Sequence, residues 1–216
     1  KLFEQKTHVQ NIYLSERICG ICNVAHTLTY VNVIERAGNI EVPPRAKYLR
    51  VIVAELNRLH SHMLLLGAVA ELMGFTTLFM LIWRDREKIM DLVELITGNR
   101  VISAYNTIGG VRRDIDSDKA DKIRKVLLKV EEEWKEYKKT WMEDPTITRR
   151  TMGVGILKPR DALKYCVVGP VLRGSGVKSD VRKDDPYEVY GDIPFNVVTY
   201  DTCDSWARYM VRVDEI

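Results

Sequence analysis

Cysteine is scarce in this chain: four residues in 216, at positions 19, 22, 166 and 203. So few thiols, two of them isolated, exclude the dense disulfide framework of a small secreted domain and suit a reducing cytoplasm. Excess charge of one sign is also missing. The formal balance is +3 with basic and acidic residues interleaved, which excludes the concentrated positive surface that nucleic-acid binding requires. There is no G-x-x-x-x-G-K phosphate loop, no internal repeat, no low-complexity tract and no signal-peptide pattern. A charge-free apolar run is lacking too. The nearest approach, Met63 to Trp83, contains Glu71 and ends in Arg84-Asp85-Arg86-Glu87. It reaches the roughly 20 residues a membrane span needs. However, it continues an amphipathic segment bearing Arg45, Arg50, Glu55 and Arg58, and Gly67 and Gly74 suit close helix contacts. We read it as a buried helix pair with no direct membrane span.

What is present is ordinary globular material, 46% apolar and 29% charged, enough for one substantial core or a core with a satellite. The pattern predicts a mainly α fold: a helical bundle with a small α+β region of short strands. We treat residues 1–216 as one domain, with a helical core over about 18–142, a strand- and turn-rich part over about 150–200 and a final helix over about 203–216. Val9 to Leu14 reads as strand-like and leads into a helix from about Cys19 to Ala37, stopped by Gly38-Asn39. Pro43-Pro44 starts the long helix. Arg84 to Thr97 is apolar at helical spacing and ends at Gly98-Asn99. Ser117 is the expected N-cap of a helix to about Trp141, with Ile123, Val126, Leu127, Val130 and Trp134 on one face.

Chemistry concentrates in Glu16-Arg17-Ile18-Cys19-Gly20-Ile21-Cys22-Asn23-Val24-Ala25-His26. The spacing C-x-x-C-x-x-x-H on a helix would put Cys19, Cys22 and His26 on one face. Two such thiols can bind a soft or borderline metal as thiolates, and a neighbouring arginine favours their charged form. Three alternatives stand beside a metal pair. Zinc wants four ligands, and Cys166 and Cys203 stand alone. A redox C-x-x-C belongs after a strand in a βαβ unit, which is not seen. Two buried cysteines can also simply pack as small apolar residues. His60 and His62 sit about 200° apart around a helix axis and cannot easily share a metal.

The run resembles the first cysteine motif of nickel–iron hydrogenase large subunits, R-x-C-G-x-C-x-x-x-H. The likeness continues through Val42-Pro43-Pro44-Arg45-Ala46, Glu55-Leu56-Asn57-Arg58-Leu59, Gly74 to Met80, Trp83-Arg84-Asp85-Arg86-Glu87 and Ile108 to Asp114. It extends to Gly169-Pro170, Arg173-Gly174-Ser175-Gly176-Val177 and Asp180-Val181-Arg182-Lys183. These are similar to the energy-converting, membrane-bound hydrogenase branch and to the homologous large subunit of complex I, where quinone replaces the metal centre. The complex I pattern has aspartate and tyrosine where this chain has Cys19 and Gly20, and a histidine near Ile102.

The resemblance implies a nickel–iron hydrogenase large-subunit-like fold and a nickel–iron centre, with Cys19 and Cys22 as metal ligands and Arg17 as a catalytic-site cation near a partner's iron–sulfur cluster. It implies that Glu16 and His26 support the site from behind. Arg173, Asp180 and Arg182 either line the same cavity or form structural ion pairs. The remaining two cysteine ligands, in a D-P-C-x-x-C motif, would lie outside this chain, so the sequence is expected to be a fragment. Asp201-Thr202-Cys203-Asp204-Ser205-Trp206 is only superficially like that motif, and Cys203 is read as a non-ligand. The implied partners are an iron–sulfur small subunit and membrane ion-translocating subunits, at the cytoplasmic face of the cell membrane as a peripheral protein. The implied reaction is proton reduction and hydrogen oxidation coupled to ion translocation. The alternatives are a complex I-like or sulfur-reducing oxidoreductase subunit with an incomplete metal centre, and a non-catalytic coupling scaffold.

Overall fold

The computed structural model describes residues 1–216 and contains ten α-helices and a single two-stranded sheet. The mainly α expectation holds. After a 3-10 turn (Phe3–Gln5) come α1 (His8–Glu16), α2 (Asn23–Gly38), α3 (Pro44–Leu72) and α4 (Thr76–Thr97). The strands β1 (Asn106–Thr107) and β2 (Gly110–Val111) pair antiparallel, and α5 (Ser117–Glu143) follows. The rest comprises α6 (Pro145–Thr151), α7 (Pro159–Lys164), α8 (Gly169–Arg173), α9 (Val181–Asp184) and α10 (Ser205–Glu215).

The long helices fall where periodicity put them. Asn39, at φ 50, closes α2 in the left-handed conformation that asparagine tolerates. Gly74, at φ 80, makes the turn between α3 and α4, so the apolar Met63–Trp83 stretch is folded into two helices. No helix is long and apolar enough to cross a membrane.

Three expectations need correction. Val9 to Leu14 is helical, inside α1, and not a strand. Thr7 and Gln10 form a reciprocal capping box that fixes the helix start. The cap of α5 is Asp116, whose carboxylate accepts the Lys119 amide at 2.9 Å, rather than Ser117. Residues 150–200 hold no strands. Pro145, Pro159 and Pro170 each open a short helix, and Asp144 and Asp180 cap α6 and α9.

The chain packs as two compact units, each discontinuous in sequence. The first comprises Lys1–Ser61 and Arg86–Leu127, the second His62–Asp85 and Leu128–Ile216. Because both are interleaved along the chain, no linker composition marks a boundary. The first unit is fastened by Arg50, which is fully buried on α3. Its guanidinium grips Glu35 of α2 at 3.0 Å and the carbonyls of Thr107 and Gly110 at 2.9 and 3.0 Å, so one cation ties α2, α3 and the hairpin together. In the second unit the side chains of Trp141, Met63, Leu66, Ile82, Ile147 and Met210 are fully buried. Trp134 donates to the Val213 carbonyl at 2.9 Å and so anchors α10 against α5.

Candidate metal centre

The cysteine motif sits in the first unit, in the connection between α1 and α2. Arg17 caps the end of α1, its amide bonded to the Leu14 carbonyl. The chain then runs irregularly to Cys22, which is the N-cap of α2. The helix expected from Cys19 therefore starts only at Asn23. The Cys19 sulfur accepts the Cys22 amide at 3.4 Å, a turn that replaces the extra helical residues, with Gly20 exposed at its apex. Beyond the cap the helix repeat takes over: Cys22 and His26 are four residues apart, and Nε2 of His26 lies 3.4 Å from Sγ of Cys22. The ligand atoms of Cys19, Cys22 and His26 all lie within 4.8 Å of one another. All three residues are half-buried, so the sulfurs are not sealed in an interior cavity as the ligand reading would suggest.

The two thiols are electrostatically unequal. Hydrogen bonds from the Cys22 thiol and from the Cys22 and Ile21 amides favour the Cys19 thiolate and lower its pKa. Burial, and the neighbouring Cys19, push the Cys22 thiol up to about 11. Cys19 is thus the thiol that ionises first. Two thiolates and an imidazole form a soft-to-borderline donor set. Such a set fits half of a nickel–iron centre, with Cys19 and Cys22 as the residues that would hold it.

The other expected residues have different partners. Glu16 is fully buried, and one carboxylate oxygen accepts the Ala104 amide and the Ser103 hydroxyl (3.2 Å), while Oε2 has no hydrogen-bond partner. Burial holds its pKa above the usual carboxylate value. Arg17 is exposed and donates to the Tyr13 carbonyl at 2.7 Å. Arg173 and Asp180 belong to the second unit. There Arg173 pairs with Glu215 (2.6 Å) and Asp180 (3.4 Å), and Asp180 with Arg182 (2.7 Å). Glu215 also meets His62 at 2.9 Å. Cys203 lies in that unit as well, its thiol donating to the Asp201 carbonyl.

Sequence reasoning missed the residues that hold the cysteine turn. Asn57 of α3 donates to the Ile21 carbonyl at 3.1 Å and to Oδ1 of Asn23 at 3.0 Å, and Asn23 in turn donates to the Val101 carbonyl. Behind Asn57 stands His60, 2.9 Å away, whose Nδ1 accepts from Arg86 at 3.2 Å. Burial and the Arg86 charge lower the His60 pKa to about 4, so the ring is neutral at physiological pH. Asn57 stands among Glu55, Arg58 and His60, so no local pattern in the sequence marks it out.

Comparison with known proteins gives this mainly α chain its family. Residues 2–72 match the family described as nickel-dependent hydrogenase, and residues 73–216 match the respiratory-chain NADH dehydrogenase, 49 Kd subunit. The chain belongs to this 49 Kd subunit family, and its first third carries the nickel-dependent hydrogenase pattern. It is similar to a subunit of the F(420)H(2) dehydrogenase of Methanosarcina mazei, 39% identical over all of this chain and 58% of the relative. A subunit of the NADH-quinone oxidoreductase of Desulfotalea psychrophila is 40% identical, again over all of this chain and 58% of the relative. The alpha subunit of the membrane-bound hydrogenase of Pyrococcus furiosus is 39% identical over 98% of this chain and 51% of the relative. The chain thus spans little more than half the length of the curated relatives it matches. By name these relatives are oxidoreductase and hydrogenase subunits.

Proposed function

We propose that the chain is part of the large subunit of an energy-converting, membrane-bound nickel–iron hydrogenase, in which Cys19 and Cys22 supply two of the thiolates that hold the metal. The observation that carries this reading is the meeting of Cys19, Cys22 and His26 within 4.8 Å, in the part of the chain that matches the nickel-dependent hydrogenase family. The other two cysteine ligands would come from outside this chain. When bound, such a centre supplies the interconversion of protons and dihydrogen.

The chain's own residues prepare the place. Cys19 accepts an amide and a thiol hydrogen bond, which stabilises its thiolate before any ion arrives. Asn57 fixes the Ile21 carbonyl and so the relative position of the two sulfurs. His26 sets the direction of the Cys22 sulfur. Glu16 ties the end of α1 to Ser103 and Ala104 and keeps the turn from drifting. The exposed Arg17 offers a cation to a partner's iron–sulfur cluster. The remaining partners in this reading are membrane ion-translocating subunits, and the site is the cytoplasmic face of the membrane.

A second reading, a complex I-like or sulfur-reducing subunit with an incomplete metal centre, is favoured by the 49 Kd match over residues 73–216. Elemental analysis of the purified complex, paired with hydrogen evolution from a reduced dye, separates the two. Nickel with hydrogen turnover supports the first. A nickel-free complex that reduces quinone or sulfur compounds supports the second, and a nickel-free complex with no turnover supports a coupling scaffold.

A further inference from the structure

We infer that residues 149–168, in the second unit, dock directly on an anionic phospholipid surface. The inference rests on the membrane-bound part of the function proposed above and on none of its metal chemistry.

This stretch runs from the end of α6 through α7 to the residue before α8. Along most of the chain acids and bases interleave, but here Arg149, Arg150, Lys158, Arg160 and Lys164 stand with a single acid, Asp161. The balance is +4, against +3 for all 216 residues. The five cations are exposed and none forms an ion pair, whereas Lys129, Lys135 and Lys138 of α5 each have a carboxylate partner.

The same stretch exposes large apolar side chains. Val154 is 50% exposed, Leu163 58%, Tyr165 72% and Val168 77%. Exposed apolar groups gathered in this way mark an interaction site, unlike single ones. The backbone beneath them is fastened, so their exposure is built into the fold. The Ser205 amide donates to the Val154 carbonyl at 2.9 Å, the Leu157 amide to the Cys203 carbonyl at 2.8 Å and the Val167 amide to the Ala162 carbonyl at 2.9 Å. Within α7 only Ala162 is buried.

The order of the side chains decides between two kinds of partner. A protein interface depletes charge at its centre and leaves it to the rim. Here cations and apolar residues alternate: Lys158 and Arg160 lie between Ile156 and Leu163, and Lys164 between Leu163 and Tyr165. Such a mixture is satisfied by a surface that is anionic and apolar at every point, and the headgroup–acyl boundary of a phospholipid leaflet is one. The cations meet lipid phosphates, while the aliphatic side chains and the Tyr165 ring enter the layer beneath, where amphipathic aromatics settle.

The test is sedimentation of the full chain with vesicles of phosphatidylcholine alone, or of phosphatidylserine and phosphatidylcholine in equal parts. The chain should bind the mixed vesicles more tightly, and salt should weaken that binding. Lys158→Gln, Arg160→Gln and Lys164→Gln together should lower the affinity roughly 100-fold. Leu163→Ser with Val168→Ser should lower it about tenfold or more. Val33→Ser, at a similarly exposed apolar position on α2, should leave it unchanged, and circular dichroism should show every variant folded. No binding to the mixed vesicles overturns the inference. So does equal binding to phosphatidylcholine alone, or binding that the serine pair leaves unchanged, which is adsorption by charge only. If the wild type ignores vesicles while the glutamine variant releases a subunit from the intact complex, the stretch is a protein interface and the inference fails. None of these failures touches the hydrogenase reading, which is decided by nickel and hydrogen turnover in the intact complex.

Discussion

The side-chain amide of Asn57 lies 3.1 Å from the carbonyl oxygen of Ile21, the residue immediately before Cys22. A residue on α3 thereby sets the backbone of a turn in the connection between α1 and α2. Replacing Asn57 with alanine leaves the Ile21 carbonyl and Asn23 Oδ1 without this donor. The cost should be about 1–3 kcal/mol in urea unfolding. Affinity for a thiophilic cation should fall roughly 10–100-fold, the usual effect of losing a group that orients a ligand. Unchanged affinity would show that the turn holds itself.

Arg50 and Glu35 make a stronger claim on stability. The pair is buried, and Glu35 also accepts the Gly109 amide at 2.7 Å. Arg50→Met removes the partner of a buried carboxylate and strands the Thr107 and Gly110 carbonyls. A loss of about 3–5 kcal/mol is expected in denaturant melts.

Gly67 faces Trp83 within the second unit. A Cβ placed there would come within 2.5 Å of the indole nitrogen, which donates to the Leu64 carbonyl. Gly67→Ala should therefore destabilise by about 1–3 kcal/mol through overpacking, even though alanine is the better helix former. Calorimetry that found it stabilising would mean that the indole moves aside freely.

His60 gives the fold a pH dependence. Its pKa is lowered from an ordinary 6.5 to about 4, so between those values the unfolded chain binds a proton that the folded chain does not. Stability is then full above pH 6.5 and falls as pH drops toward 4, by roughly 3 kcal/mol from this residue. Unfolding free energies measured across that range should decline more gently in His60→Gln. Equal slopes would remove His60 as the source.

Much of this was legible in the chain. The long helices followed from 3.6-residue periodicity, Gly38-Asn39 and Pro44, because burial and backbone stops act locally. α1 was hidden because Val9, Ile12 and Leu14 suit either period, and only the Thr7–Gln10 cap decides between them. The short helices after residue 144 look like turns because glycine and proline serve both. Cys19, Cys22 and His26 were visible as a motif, yet the face they share is made by a turn and a helix start rather than by one helix. The supports could not be read at all: Asn57 acts on Ile21 across 36 positions, a contact that exists only once α3 has packed.

The most direct test is nickel content per large subunit in the intact complex purified with its partners, for wild type and Cys22→Ser. Serine offers a harder, far less acidic oxygen at the same position. The account predicts nickel and hydrogen evolution in the wild type, and the loss of both in Cys22→Ser with the fold preserved by circular dichroism. A wild-type complex without nickel that turns over quinone or a sulfur compound would contradict it.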